Sequence, residues 1–253
     1  MDPFRTIVSA YREMADELPL VHTSECENLS SFVASHQINP SYCTVFKESL
    51  VFLFYGRPAY RSKKGQQPGE SVQLCPVCFV FKPRTVSKRI RRVFPCDTGA
   101  LGTDLFNPPL TVADLGNLEL EPRIESAQRL VPLLFENNQN YFLGKARSSL
   151  VLSAGTPVQR FHQLLITPGP VGYDDRKSAI EVQVEEPISL RNQLLCVILP
   201  REFLDTREIR TTILYEWNCD PIHYSTVIGD APSQYYSVIR QELLKRFREA
   251  TRL

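Results

Sequence analysis

One pair of residues in the chain has a spacing that metal and redox sites use, Cys75-Pro76-Val77-Cys78. A structural zinc site needs four ligands, and no second close pair of Cys or His follows at the expected distance. The flanking apolar run Phe79-Val80-Phe81 continues a strand pattern, whereas a reactive thiol usually lies at a helix N-terminus that lowers its pKa. We therefore expect Cys75 and Cys78 to be core residues of a strand, and we expect no metal site.

The usual backbone motifs of nucleotide and hydrolase chemistry are also missing. The sequence has no P-loop, no dinucleotide-binding glycine fingerprint and no Gly-x-Ser-x-Gly elbow, and its four histidines are scattered. What remains is a set of polar side chains placed in or beside apolar, strand-like runs. Its members are His22, Thr23, Tyr55, Arg57, Tyr60, Arg61 and Glu181.

Each member of this set also has an ordinary structural interpretation. His22 could satisfy a backbone group at the end of a strand, the tyrosines could be core aromatics with solvated hydroxyls, and the arginines could be surface ion-pair donors. Glu181 could lie on an exposed strand face together with Gln183 and Glu185. The combination of these residues is more informative than any one of them.

In the order of these residues along the chain and in their local sequence context, the set resembles the ADP-ribosyltransferase superfamily, and most closely its DarT-like branch of DNA-modifying enzymes. The resemblance consists of an early His22-Thr23 on a strand, Glu27-Asn28-Leu29 followed by a helix, an aromatic strand ending in Arg57-Pro58-Ala59-Tyr60, and a late Glu181 on an alternating strand. It covers about half of the chain. It implies an α+β fold with a mixed central sheet of ADP-ribosyltransferase type and flanking helices, and NAD as substrate.

The resemblance also implies roles for these side chains, because cleavage of the nicotinamide–ribose bond builds positive charge on the ribose. Glu181 would stabilise that charge and help to deprotonate the acceptor, while His22-Thr23 would contact a ribose of NAD. A tyrosine would stack on nicotinamide and an arginine would meet a phosphate, but the sequence does not choose between Tyr55 and Tyr60 or between Arg57 and Arg61. Other glutamates compete with Glu181 for the catalytic place, namely Glu185, Glu186, Glu202 and Glu208.

A basic segment, residues 82–92, carries six cationic side chains and no acidic one: Lys82, Arg84, Lys88, Arg89, Arg91 and Arg92. Such a segment is able to bind the phosphates of a nucleic-acid acceptor locally. The alternative is a solvated hairpin whose charge is balanced by the acidic stretch 114–125.

The composition places the chain among ordinary globular proteins. Its 253 residues contain 29 basic and 28 acidic side chains, so the chain as a whole has no strong field for nucleic acid or anionic lipid. No window reaches the ~18 apolar residues of a membrane helix, and the N-terminus lacks the pattern of a signal peptide. The seven scattered cysteines are typical of reduced core thiols, so we expect a cytoplasmic protein with no membrane partner.

Hydrophobic periodicity predicts one α+β domain over residues 1–253. Strands are expected at 50–55, 75–81, 89–94, 150–152, 164–166, 179–184 and 194–199, with a further short strand that carries His22. Helices are expected at 4–17, after Ser24, around 126–141, from about 209 to 217 and from Ser233 onward. On strand 179–184, Ile180, Val182 and Val184 alternate with polar residues.

Two functional hypotheses follow from this sequence. The first is an NAD-dependent ADP-ribosyltransferase that modifies a nucleic acid or a protein, for which the resemblance suggests the role of a bacterial toxin or phage-defence effector. The second is a catalytically inactive module with the same fold that binds a nucleotide, a nucleic acid or a regulatory protein partner. The first hypothesis requires His22 and Glu181 to lie on neighbouring strands and to face one cleft.

Overall fold

The computed structural model describes residues 4–59, 71–86, 88–152, 155–168 and 174–250. The strands in these ranges are β1 Leu20–Glu25, β2 Gln37–Ile38, β3 Ser41–Cys43, β4 Glu48–Tyr55, β5 Pro76–Phe81, β6 Ile90–Phe94, β7 Glu181–Val184, β8 Ile188–Ser189, β9 Leu194–Pro200 and β10 Asp220–Tyr224. The helices are α1 Phe4–Ala10, α2 Leu29–Ser35, α3 Leu115–Leu118, α4 Ile124–Phe135, α5 Asn138–Phe142, α6 Pro157–Ile166, α7 Arg201–Leu204, α8 Arg207–Thr211 and α9 Tyr235–Glu249.

The described strands form one large mixed sheet in the order β10-β9-β5-β1-β4-β7-β6, with β3 added to β4, and a small two-stranded ladder of β2 and β8. Only the β9–β10 pair in the large sheet is parallel, and its other pairs are antiparallel. Helices flank the sheet. The expectation of a single α+β domain with a mixed sheet and flanking helices is therefore confirmed.

The ladder between β1 and β4 is unusually short. The two strands pair only at Leu20↔Tyr55 and Val21↔Phe54, after which β1 continues with β5 and β4 continues with β7 and β3. His22 Nδ1 donates a hydrogen bond to Phe52 O at 2.9 Å where this ladder ends. The imidazole thus satisfies a carbonyl group that would otherwise lack a strand partner.

The register of the sheet assigns the key side chains to its two faces. Val21 pairs with Phe54 and Phe54 pairs with Glu181, and because directly opposed residues share a face, these three side chains point the same way. His22 is the next residue after Val21 and points to the other face, where its ring contacts Phe32 of α2 and Phe79 of β5. His22 and Glu181 therefore lie on opposite faces of the sheet.

Helix α9 packs on the same face of the sheet as Glu181, but over strands β5 and β9. Leu243 of α9 lines a cavity together with Val80, and Val80 is the partner of Val21 in the β1–β5 ladder. The buried residues on this helix recur at helical spacing, as the sequence indicates: Tyr235, Ile239, Leu243 and Phe247.

Several predicted elements differ from the structure. Residues 164–166 belong to helix α6 rather than to a strand, because Thr156 caps a helix that continues through Phe161 and buried His162. Residues 150–152 are irregular. The helix expected at 126–141 is divided into α4 and α5 at Glu136, whose φ of 74° ends the first helix.

The longest described helix, α9, has 15 residues. Within the described ranges, none of the helices has both the length and the apolar character that are needed to cross a membrane.

Candidate functional site

The Glu181 carboxyl is the best-organised candidate group on the sheet. Its side chain is 1% exposed. Glu181 Oε2 accepts a hydrogen bond from Thr98 N at 2.9 Å, and Oε1 accepts from Thr98 Oγ1 at 2.8 Å and from Gln183 Nε2 at 2.6 Å. All three donors are neutral, so within the described part of the chain no cationic side chain donates a hydrogen bond to this buried carboxyl.

The local sequence explains how this arrangement forms. Strand β7 lies between β4 and β6, and Glu181 is opposed by Phe54 on one side and by Phe94 on the other. After β6 the chain turns back at Pro95, and Asp97 caps the single helical turn Thr98–Ala100 by accepting from Gly99 N. This turn directs the amide and the hydroxyl of Thr98 at Glu181.

Asp97 makes the site a pair of carboxyl groups. Burial is the main cause that raises the pKa of Glu181 to about 8, and the neighbouring Asp97 carboxylate adds to the shift, against the hydrogen bonds from Gln183 and Thr98. Burial also raises the pKa of Asp97, although the Gly99 amide and the Arg176 guanidinium favour its charged form. Two adjacent carboxyl groups in a site of low polarity share one proton near neutral pH, so the pair carries about one negative charge.

The carboxyl belongs to a line of polar side chains on the same face, which we call the Glu181 row: Thr98, Glu181, Gln183, Arg92 and Glu48. Gln183 is fully buried and its Oε1 accepts a hydrogen bond of 3.4 Å from Arg92 Nη1. Arg92 also forms an ion pair with Glu48. The row therefore extends from a buried carboxyl to a partly exposed ion pair.

An aromatic side chain flanks the outer end of this row. The guanidinium of Arg92 lies over the ring of Phe46, 4.8 Å from its centroid, and Phe46 in turn contacts Phe94 at 5.7 Å between ring centroids. The ion pair and the ring together restrict the orientation of Arg92.

The prediction that His22 and Glu181 lie on neighbouring strands and face one cleft is wrong. The two residues lie on opposite sheet faces, and β4 separates their strands. His22 Nδ1 donates to a backbone carbonyl, Phe52 O, which lies within β4, so a backbone contact occupies one nitrogen of its ring. Thr23 is two residues after Val21 and lies on the Glu181 face.

Tyr55 and Arg57 are engaged within the protein, although both were expected at NAD. Tyr55 is fully buried, and its hydroxyl accepts from Leu18 N at 3.0 Å and donates to Asp16 O at 3.3 Å, which leaves no ring surface for stacking on nicotinamide. Arg57 is 1% exposed. The alternatives Tyr60 and Arg61 lie outside the described residues.

Arg57 belongs instead to a buried ionic group, the Arg57 cluster, formed by Arg57, Asp175 and Arg240. Arg57 donates to Asp175 Oδ2 at 2.8 Å, to Ser178 Oγ at 3.1 Å and to Tyr141 O at 3.0 Å. Arg240 of α9 pairs with the same Asp175 carboxylate. The cluster joins the end of β4, α5, the segment before β7 and α9, and its three side chains also line a surface cavity.

The basic segment 82–92 is largely occupied by internal contacts. Ion pairs join Arg84 to Glu17, Arg89 to Glu186, Arg91 to Glu185 and Arg92 to Glu48. Lys82 Nζ donates to Asn192 O at 2.7 Å. The balancing carboxylates come from α1–β1, β4 and the β7–β8 turn rather than from stretch 114–125, because the folded chain brings those segments beside β6.

The cysteines behave as core residues. Cys75 and Cys78 are buried at and within β5, and all seven cysteines are free thiols, six of them buried. Across the described ranges, His, Cys, Asp and Glu side chains form no group of three or more that could hold a metal ion.

Three residues of the site were not singled out from the sequence: Asp97, Thr98 and Gln183. Gln183 was considered only as part of an exposed strand face. The sequence Asp97-Thr98-Gly99, which follows β6 after Pro95-Cys96, was the available signal, since such a turn can direct backbone N–H groups and a hydroxyl at a neighbouring strand. Its partner Glu181 is 83 residues away in sequence.

Comparison of the chain with protein-family models finds none that matches, and comparison with curated proteins likewise finds no match.

Proposed function

We propose that this protein is an ADP-ribosyltransferase that uses NAD as substrate and the Asp97–Glu181 pair as its catalytic group. The observation that carries the proposal is a pair of carboxyl groups in which the buried Glu181 accepts hydrogen bonds from three neutral donors and, among the described residues, from no cation. A buried negative charge with no cation in contact favours the arrival of a cation, and the ribose of NAD becomes cationic as its glycosidic bond breaks.

The reaction follows from this charge distribution. The bond between ribose C1′ and the nicotinamide nitrogen breaks, and its electron pair leaves with nicotinamide. The carboxylate pair stabilises the positive ribose, an acceptor oxygen or nitrogen forms the new bond to C1′, and the acceptor proton passes to the pair. Asp97 is half-buried whereas Glu181 is almost completely buried, so Asp97 would meet the substrate first.

The proposed binding surface differs from the one that the sequence suggests. NAD would lie on the Glu181 face, where Thr23 and the half-buried ring of Phe52 flank the point at which β1 and β4 stop pairing. His22, Tyr55 and Arg57 are excluded from this surface because they serve the fold.

The internal contacts of His22, Tyr55 and Arg57 support a second candidate function. Three of the side chains that would bind NAD by resemblance are consumed by internal contacts. This is the pattern of an inactive module that retains the fold and binds a nucleotide or a protein partner.

One experiment separates the two candidates. The protein is incubated with NAD labelled in its adenylate part and with separate pools of protein, DNA and RNA, and both nicotinamide release and label transfer are measured. Transfer by the wild type that is lost in Glu181→Gln and Asp97→Asn supports the enzyme, and the labelled pool identifies the acceptor.

The matched control is Glu185→Gln, which removes an exposed carboxylate of the same chain segment that pairs with Arg91. It should leave transfer unchanged. If the wild type releases no nicotinamide, the inactive-module function replaces the enzyme. Loss of transfer in Glu185→Gln but not in Glu181→Gln would place the catalytic carboxyl elsewhere.

A further inference from the structure

The amide of Gln183 has two possible orientations, and its surroundings decide between them. Its Nε2 lies 2.6 Å from Glu181 Oε1 and its Oε1 lies 3.4 Å from Arg92 Nη1. A guanidinium only donates hydrogen bonds, so it requires the amide oxygen on its own side. The NH₂ group is then left to face the carboxyl.

We propose that Arg92 is a positioning residue for the Glu181 carboxyl, and that it acts by holding the Gln183 amide in the orientation that donates to Glu181. The inference rests on the proposed function for its meaning in catalysis. The hydrogen bond from Gln183 Nε2 to Glu181 Oε1 does not require NAD, so the role of Arg92 can be tested without substrate.

Arg92 is itself held on two sides, as this role requires. It pairs with Glu48 and its guanidinium lies over Phe46. Glu48 also lies near Arg91, with 3.8 Å between the charged atoms, so loss of Arg92 does not isolate this carboxylate. Substitution at Arg92 should therefore leave the fold intact and release only the amide.

Release of the amide has a defined electrostatic consequence. In the flipped orientation Gln183 presents its oxygen to Glu181, and an oxygen there accepts from the protonated carboxyl and repels the carboxylate. The other titratable and charged groups around Glu181 are Asp97 and Cys96 in the segment after β6, with Arg176 beyond Asp97. None of these contacts changes when the amide turns.

The test measures the protonation midpoint of Glu181 without any substrate. Infrared spectra recorded against pH follow the carboxylic-acid C=O band, and the Glu181 contribution is the part that disappears in Glu181→Gln. Arg92→Gln should raise the midpoint by about one pH unit, the size expected when one charged or dipolar neighbour is lost. Arg92→Lys keeps a hydrogen-bond donor, so its midpoint should rise less than that of Arg92→Gln.

A double-substitution cycle separates orientation of the amide from the direct effect of the Arg92 charge. In a Gln183→Met background no amide remains, so adding Arg92→Gln should move the midpoint by less than a third of its effect in the wild type. An equal shift in both backgrounds would overturn the proposal, because Arg92 would then act directly through space. An unchanged midpoint in Arg92→Gln would overturn it as well.

Activity is measured separately on the same variants. If the wild type transfers no ADP-ribose, the proposed function fails while the infrared result still decides the role of Arg92. If the wild type is active, Arg92→Gln should shift the pH profile of kcat in the direction of the infrared midpoint.

Discussion

The Glu181 row and the Arg57 cluster both bury charged side chains, but they balance charge in opposite ways. In the Arg57 cluster one carboxylate meets two guanidinium groups, and Arg57 also bonds to Ser178 and a backbone carbonyl. In the Glu181 row the described donors to the carboxyl are neutral, and the neighbouring Asp97 carboxyl raises the pKa of Glu181 further. Burial of charge is thus compatible with either architecture or chemistry, and the local charge balance distinguishes the two.

The largest expected effect on stability is at the Arg57 cluster. Arg57→Met keeps the aliphatic stem but leaves the Asp175 carboxylate with one cation fewer and leaves buried acceptors unsatisfied. We expect a loss of about 3–5 kcal/mol in the free energy of unfolding, measured by denaturant titration. Arg84→Met is the control: Arg84 is 81% exposed in its ion pair with Glu17, and its loss should cost at most about 1 kcal/mol. Similar costs at the two arginines would remove the distinction between the cluster and the surface.

Substitution at Glu181 should lower activity strongly, whereas substitution at Arg57 should mainly lower stability. Glu181→Gln removes one carboxyl of the pair that stabilises the cationic ribose and takes up the acceptor proton, so we expect at least a ~100-fold loss of transfer, equivalent to ~2.7 kcal/mol in the barrier. The measurement is single-turnover nicotinamide release.

Ile180→Ala serves as the control for Glu181→Gln because Ile180 is the adjacent, fully buried residue. It should cost about 2–4 kcal/mol of stability and leave the activity of the folded fraction unchanged. Full activity in Glu181→Gln together with activity loss in folded Ile180→Ala would reverse the proposed roles.

Stability should depend on pH through Glu181. Its pKa is raised from 4.5 to about 8 in the folded protein, so the folded state retains a proton that the unfolded chain releases above pH 4.5. The stabilising contribution of the protonated group is therefore fully present below pH 4.5 and is lost as pH rises through about 8. Because Asp97 shares the proton, we expect a loss of about 1–2 kcal/mol over this range. Thermal unfolding against pH should lose most of this slope in Glu181→Gln, and an unchanged slope would assign it to another group.

The smallest expected effect is at the exposed neighbour of the row. Arg91 is 48% exposed and pairs with Glu185 and Glu48 in solvent. Arg91→Gln should therefore change the free energy of unfolding by no more than about 0.5 kcal/mol and leave the pH slope of stability unchanged. A larger change in either quantity would show that the ion pairs of Arg91 affect the Glu181 row.

Local sequence patterns were sufficient to predict most of the central strands. The segments 50–55, 75–81, 89–94 and 194–199 contain many strand formers, and each largely coincides with a strand of the large sheet. Strand β10 and the short strands β2, β3 and β8 were missed because their burial depends on partners rather than on their own composition. Residues 164–166 were assigned to the wrong element because three apolar residues fit either period when their helix cap is not considered.

The sequence alone determined that Glu181 lies on a strand, that most of the cysteines are buried thiols and that the chain forms an α+β domain. Only the tertiary structure decided the face on which each polar residue lies, because side chains alternate along a strand and a shift of one residue in pairing exchanges the faces. His22 and Glu181 were separated in this way, and Glu181 was joined to Asp97 and Thr98 by a contact over 83 residues. Alternation within β7 correctly placed Glu181 opposite to its apolar neighbours, but it indicated an exposed face. The fold buried the Glu181 and Gln183 side chains on that face as well, and burial is the main cause of the raised pKa of Glu181.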